Sequence, residues 1–320
     1  MNISTKEIDR KVDETEGKAR ILTGWQLKLV AVIAFTWSAF QLWYASPLPF
    51  MVGFGVLIDV PARAIHLGFA LLLAFLSFPF LKKDRHKKFG LLSLCLAILA
   101  FYSTFYIFNN YEALVDRNGI LLKHEINIFG KQFNFPSELI LGIIGIVLLL
   151  ESTRRAIGIP LVIVALIFLL YSIFGQSMPE MISHQGLSLK RLVGYHWFGG
   201  EAIFGIPISV SVSFVFLFVL FGSMLDYAGG GRYFLGLAIA LVGKFRGGPA
   251  KASILASGLT GMISGSSIAN VVTTGTFTIP IMKKTGFPAV KAGAIEVAAS
   301  VNGQIMPPIM GAAAFIIAEM

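Results

Sequence analysis

The 320-residue sequence predicts an all-α polytopic membrane protein, and three observations carry that prediction. Hydrophobic residues make up 56% of the chain and charged residues 13%, roughly half the charged share of an ordinary soluble domain. The apolar residues gather into runs near the ~20 residues that a helix needs to cross a bilayer. Two late segments then interrupt the pattern with Gly, Ser, Thr, Asn and Pro while staying apolar at both ends. In a membrane such backbone is tolerated only where it is buried in protein or lines a cavity.

Residues 1–24 mix Lys6, Arg10, Lys11, Lys18 and Arg20 with Glu7, Asp9, Asp13, Glu14 and Glu16 and contain no apolar core. They read as a cytoplasmic tail or a surface helix, not as a signal peptide. Apolar runs then predict spans near Lys28–Tyr44, Ala64–Leu81, Phe89–Phe108, Phe135–Leu150, Ala156–Phe174 and Ile203–Leu225. Alternating the connections puts the cationic stretch Lys82–Lys88 and the pair Arg154–Arg155 on the side of the N-terminus. Only Arg63, Arg117, Lys123, Lys131, Lys190 and Arg191 fall on the other side, so the N-terminal side is cytoplasmic. The net charge of +9 therefore reports orientation. The cations are scattered between spans and do not form one basic face, which argues against a nucleic-acid partner and leaves membrane lipid as the surroundings.

The stretch from Gly258 to Pro280 is too rich in small polar residues for a plain span. Lys251 precedes it and Lys283 and Lys284 follow it, so both ends lie on the cytoplasmic side. Residues 252–282 must enter and return, each arm of some 13 to 15 residues reaching ~20 to 22 Å into a ~30 Å core. A re-entrant hairpin with its tip near Ser264–Ser267 is expected. Pro288–Ser300 next reads as a helix that Gly303, Pro307 and Pro308 interrupt, because proline removes a donor and clashes with the preceding turn. Apolar Ile309–Ala318 resumes it, which makes residues 288–320 a discontinuous helix. Unwound carbonyls and half-helix ends are the parts that hold ions and anionic groups within a membrane.

Other residues carry less. Glu296 lies mid-helix, where a charge costs ~2.5 to 3.5 kcal/mol unless it faces protein or water. It is read either as a proton-coupling group or as an interfacial or packing residue. Glu138 and Glu151 read as anchors at the ends of the fourth span, and Trp25, Trp43, Tyr44, Tyr195 and Trp197 as an aromatic belt. The five histidines lack metal-site spacing, and Cys95 is alone. A serine hydrolase would need a base beside Ser264, Ser266 or Ser267 and a Gly-x-Ser-x-Gly elbow, and the sequence offers neither. No phosphate-binding Gly-x-x-x-x-Gly-Lys-Ser/Thr loop is present either. A non-enzymatic transporter is expected, with a channel or a helix-packing scaffold as the alternative.

Three runs carry a resemblance: Arg246-Gly-Gly-Pro-Ala-Lys251, Ser264–Met282 and Asn302-Gly-Gln-Ile-Met-Pro-Pro-Ile-Met-Gly-Ala-Ala-Ala-Phe315. In these the chain resembles the fused permease of tripartite ATP-independent periplasmic (TRAP) transporters, in particular the four-plus-twelve-helix fusions that work with a TAXI-type solute-binding protein. The likeness is specific from about Thr153 onward, and residues 25–152 match a small-subunit-like module only by span count. It implies that this four-span module braces an elevator-type transport domain, of which residues 153–320 would be the N-terminal half, the chain being C-terminally incomplete. It also implies ATP-independent uptake of a carboxylate-bearing organic solute across the inner membrane, coupled to Na⁺ or to H⁺, with no other cofactor. Ser264, Ser266, Ser267, Asn270, Asn302 and Gln304 would then bind the solute. Thr273, Thr274 and Thr276, with the backbone near Gly265, Gly303 and Pro307, would bind the cation.

Overall fold

The computed structural model describes residues 19–81, 84, 88–117, 120–128 and 131–320. The N-terminal tail up to residue 18 and most of the cationic stretch 82–88 therefore lie outside the described residues. The chain divides into two compact units, one ending at Ser209 and the other beginning at Val210.

The first unit contains helices α1 (Trp25–Ala45), α2 (Leu48–Val52), α3 (Asp59–Ser77) and α4 (Leu91–Asp116). An antiparallel hairpin of β1 (His124–Ile128) and β2 (Lys131–Phe135) follows, then α5 (Ser137–Ala156), α6 (Ile159–Ile173) and α7 (Leu189–Val193), which runs into a π-helical turn, Gly194–Phe198. The second unit holds the rest of a long helix α8 (Ile206–Tyr227), then α9 (Gly230–Val242), α10 (Gly248–Ser264), α11 (Ser267–Lys284), α12 (Ala289–Ser300), a 3-10 turn Val301–Gln304 and α13 (Ala312–Glu319). Among the described residues the structure is helical apart from one short β-hairpin, which the hydropathy pattern does not announce.

All six expected runs are helical, but among the described residues four helices are long and apolar enough to cross a membrane: α1, α3, α4 and α8. The other two fall short for different reasons. In α5, Glu138 at one end and Glu151, Arg154 and Arg155 at the other leave only residues 139–150 apolar without interruption. With 15 residues, α6 is about 22 Å long, less than a ~30 Å hydrocarbon core. The long helices carry apolar side chains outward, Phe35 on α1 being 75% exposed and Leu92 on α4 71% exposed, as a lipid-facing surface requires.

Small residues let the first unit close. Leu67, Leu71 and Phe75 of α3 share a core with Ala97, Ala100 and Ile107 of α4. Against α5 the core is completed by Trp197, which is fully buried and meets Phe204 edge to face at 5.9 Å. Trp197 is thus a core residue and not part of an interfacial belt. A Cβ at Gly145 of α5 would lie 2.1 Å from the Trp197 ring. Gly145→Ala gains up to ~1 kcal/mol of helix propensity but forces a ring with nowhere to move, an overpacking cost of ~1 to 3 kcal/mol. A net loss of about 1 to 2 kcal/mol is expected, read as a lower thermal midpoint in detergent. An unchanged midpoint would show that the ring yields.

Glu138, at the start of α5, is 1% exposed rather than interfacial. Its carboxylate accepts two bonds from Arg117 at 2.8 and 3.0 Å, one from the Tyr106 hydroxyl at 2.7 Å and one from the Leu122 amide at 2.5 Å. The same hydrogen bonding raises the Arg117 guanidinium above its ordinary value. At the other end of α5, Glu151 pairs with Arg154 and Arg155, each at 2.7 Å.

Candidate functional site

The second unit is built on a hairpin of two helices. Pro249 sits in the first turn of α10, where its missing N–H costs nothing. Gly265 ends α10 in the left-handed region, φ +59°, a conformation that favours glycine. Ser266 caps α11, its hydroxyl accepting from the Ala269 amide at 3.2 Å. The chain therefore reverses in two residues. The arms contain 17 and 18 residues, or about 26 Å each, longer than the sequence suggests because α10 starts at Gly248. Lys251 near the start of α10 and Lys283–Lys284 at the end of α11 both lie at the open end, away from the tip.

Polar residues at helical spacing hold the arms together: Ser253, Ser257 and Thr260 on α10, and Asn270, Thr274 and Thr278 on α11, all buried. Asn270 is fully buried and spends its amide inside the hairpin. Its Nδ2 donates to the carbonyl and the hydroxyl of Ser257, both at 2.8 Å, and its Oδ1 accepts from Thr260 at 2.6 Å. The side chain acts as a clasp across the two arms.

Helix α12 packs on both arms and presents Glu296, fully buried, to this polar face. Four hydroxyls donate to its carboxylate. Ser253, at 2.7 Å, and Thr278 bind Oε2; Thr274 and, at 3.4 Å, Ser300 bind Oε1. A carboxylate offers about four lone-pair sites, so the group is fully solvated by protein.

Beyond Ser300 the helix breaks into the 3-10 turn and irregular backbone before α13 resumes. The break rests on the hairpin backbone to backbone: a Cβ at Gly261 would lie 2.6 Å from the Gly303 Cα, and one at Gly265 2.5 Å from the Met310 carbonyl. Five of the six expected solute residues lie at the tip or on the break; the sixth, Asn270, is instead buried between the arms with its amide bonded to Ser257 and Thr260. Ser264 and Ser266 lie in the tip, bonded to each other at 3.3 to 3.4 Å, and Ser267 opens α11. Asn302 and Gln304 lie on the break, half-buried and exposed, and their side chains hydrogen-bond to no described residue. The expected cation residues do not share a face. Thr273 and Thr276 turn outward with their hydroxyls on carbonyls of their own helix, whereas Thr274 turns inward to Glu296. Gly265 and Gly303 flank the contact between tip and break; Pro307, further along the break, is exposed.

Sequence reasoning overlooked Ser253, Ser257, Thr260, Thr278 and Ser300. A signal was present: Ser253/Ser257/Thr260, Asn270/Thr274/Thr278 and Glu296/Ser300 each repeat at three or four residues, which places each set on one helical face. Among the described residues no group of three or more His, Cys, Asp or Glu could hold a metal ion.

Fold and site together define a multi-pass helical membrane protein whose polar chemistry lies inside a hairpin and a broken helix. Residues 144–320 match the family model of the tripartite ATP-independent periplasmic transporter DctM component. That is more than half of the chain, and the chain belongs to this family. Among curated proteins it is 30% identical over 177 residues to the uncharacterized protein YgiK of Salmonella typhimurium, covering 55% of this chain and 36% of that one. It is 33% identical over 91 residues to the C4-dicarboxylate TRAP transporter large permease protein DctM of Rhodobacter capsulatus, covering 28% and 21%. A putative TRAP transporter large permease of Haemophilus influenzae is 29% identical over 100 residues, covering 31% and 24%. The chain thus spans about a third or less of the length of these relatives. No solved structure matches it significantly.

Proposed function

We propose that the chain is part of the permease of a secondary active importer in the inner membrane. It takes up a carboxylate-bearing organic solute handed over by a periplasmic binding protein of TAXI type, driven by a cation gradient and not by ATP. The observation that carries this reading is the hairpin tip. There the C-terminus of α10 and the N-terminus of α11 end side by side against the break. A helix N-terminus carries a partial positive charge and free N–H groups, which suit a carboxylate. Ser266 and Ser267 stand at that end, with the amides of Asn302 and Gln304 on the break to complete the donors. The α10 C-terminus and the carbonyls about Gly265, Gly303 and Pro307 carry the opposite partial charge, which suits Na⁺; a proton would need a carboxylate instead.

The cations gathered at the open end of the hairpin support entry from the cytoplasmic side as a re-entrant loop. Arms of about 26 Å bring the tip deep into a ~30 Å core. Hairpin, α12 and break are the parts that an elevator-type transport domain would carry. The C4-dicarboxylate permease of Rhodobacter capsulatus, as a relative, supports a dicarboxylate as the first solute to try.

The test is uptake of labelled succinate into proteoliposomes holding the permease, with a TAXI-type binding protein added. A hydrogen bond to a charged group is worth ~1.5 to 3 kcal/mol, so Ser267→Ala or Asn302→Ala is expected to lower uptake about tenfold or more without altering helical content. Unchanged uptake in both variants would remove the tip as the solute site. Flux that ignores the binding protein would indicate a channel.

A further inference from the structure

We propose that Glu296 is a proton-binding site, and that the hydroxyl ring around it is the means by which this chain senses a proton gradient. The coupling role rests on the importer reading above; the binding of the proton does not. The geometry allows two states. With Glu296 ionised, Ser253, Thr274, Thr278 and Ser300 direct their protons at its oxygens. Each hydroxyl has one proton, and three of the four have a second acceptor in reach: the Asn270 carbonyl for Thr274 at 2.7 Å, the Thr274 carbonyl for Thr278 at 3.0 Å and the Ser257 hydroxyl for Ser300 at 3.2 Å.

When a proton joins the carboxylate at Oε2, Thr278 can turn its own proton to the Thr274 carbonyl and accept the new O–H, while Ser253 goes on donating to the carboxyl. The ring stays satisfied in both states with no heavy atom displaced. The hydroxyls sit directly on the carboxylate at hydrogen-bond distance, which leaves a proton as the ion that fits. Its transfer changes nothing else: a carboxylate gains H⁺ from one aqueous phase and returns it to the other.

Among the described residues no cation opposes this. The charged residues on α12 and on the elements packed against it are Lys251 of α10, Lys283 and Lys284 of α11 and Lys291 of α12 itself, and all are exposed. The 3-10 turn has none, and among the described residues no ion pair to Glu296 is formed. The protonation state also has a route to the tip. Ser300 meets the Ser257 hydroxyl at 3.2 Å, where either can donate, and Ser257 in turn receives the Asn270 amide. The proton site and the clasp of the hairpin therefore share one hydrogen-bonded chain.

Infrared difference spectra of the full chain in lipid, taken from acid to alkaline pH, are expected to show a buried carboxyl C=O band. It should titrate reversibly, shift in D₂O and be missing from Glu296→Gln. In weakly buffered solution an acid jump should load about one proton fewer per chain into the variant, and uptake by the variant should become indifferent to an imposed proton gradient. The proposal is overturned if no such band titrates in the wild type, or if the band survives in Glu296→Gln. A variant that merely melts earlier, with no titrating band in the wild type, would mark Glu296 as structural. A wild type that transports no solute would end the importer reading, and the infrared band and proton count would still decide whether Glu296 binds a proton.

Discussion

Replacing Asn270 by leucine is expected to loosen the α10–α11 hairpin by about 2 to 4 kcal/mol. The amide makes three bonds across the arms in a fully buried position. Each contributes of the order of 1 kcal/mol, and a buried partner left unsatisfied costs ~1 to 3 kcal/mol. Thr260 can fall back on the Ala256 carbonyl at 2.8 Å, which keeps the loss below the sum of the parts. Against a total stability of ~5 to 15 kcal/mol the change is large. It should appear as a lowered thermal midpoint and as faster amide exchange confined to α10 and α11. Thr273→Ala, one turn away on the outer face, should stay within ~0.5 kcal/mol of the parent. Equal midpoints for Asn270→Leu and Thr273→Ala would refute the clasp.

Gly261→Val should be the most damaging change at the site. Its first carbon alone would lie 2.6 Å from the Gly303 Cα, and backbone cannot rotate out of the way as a side chain can. Overpacking costs ~1 to 3 kcal/mol where side chains give way, so about 3 kcal/mol or more is expected here, together with loss of uptake. The reverse substitution separates sterics from flexibility. A Cβ at Gly303 would meet the Asn270 amide at 3.2 Å and the Ser266 carbonyl at 3.4 Å, close but adjustable, so Gly303→Ala should cost only a fraction of that. If Gly303→Ala proves the worse of the two, the seat is held by the backbone freedom of Gly303 and not by the close approach.

How much of this was legible depended on the kind of signal. The helices α1, α3, α4 and α8 announce themselves because a run of ~20 apolar residues has few other uses. The reversal at Gly265–Ser266 and the unwinding after Ser300 follow from glycine and proline chemistry that acts locally. The β-hairpin 124–135 lies between spans and carries no hydropathy mark. Helix α9 carries a weak signal because its 13 residues directly follow a glycine cluster and are too few to span a bilayer.

At the site, position was easier to read than orientation. Sequence spacing put Asn270 and Thr274 in the right segment, but which way each pointed was decided by helical phase: 270, 274 and 278 face inward, 273 and 276 outward. Trp197 and Glu138 were misplaced for a related reason. Both residue types favour interfaces on average, and only tertiary partners, Gly145 for one and Arg117 for the other, reveal that they are interior.

The Glu138 cluster has a consequence for the chain between α4 and α5. Arg117 and Leu122 come before the β-hairpin and Glu138 comes after it, so one carboxylate buckles the two ends of the excursion together. Whatever lies within the loop is fastened at its neck, as a handle is to a lid. Evolution can lengthen, trim or redecorate it without the helices beneath having to repack.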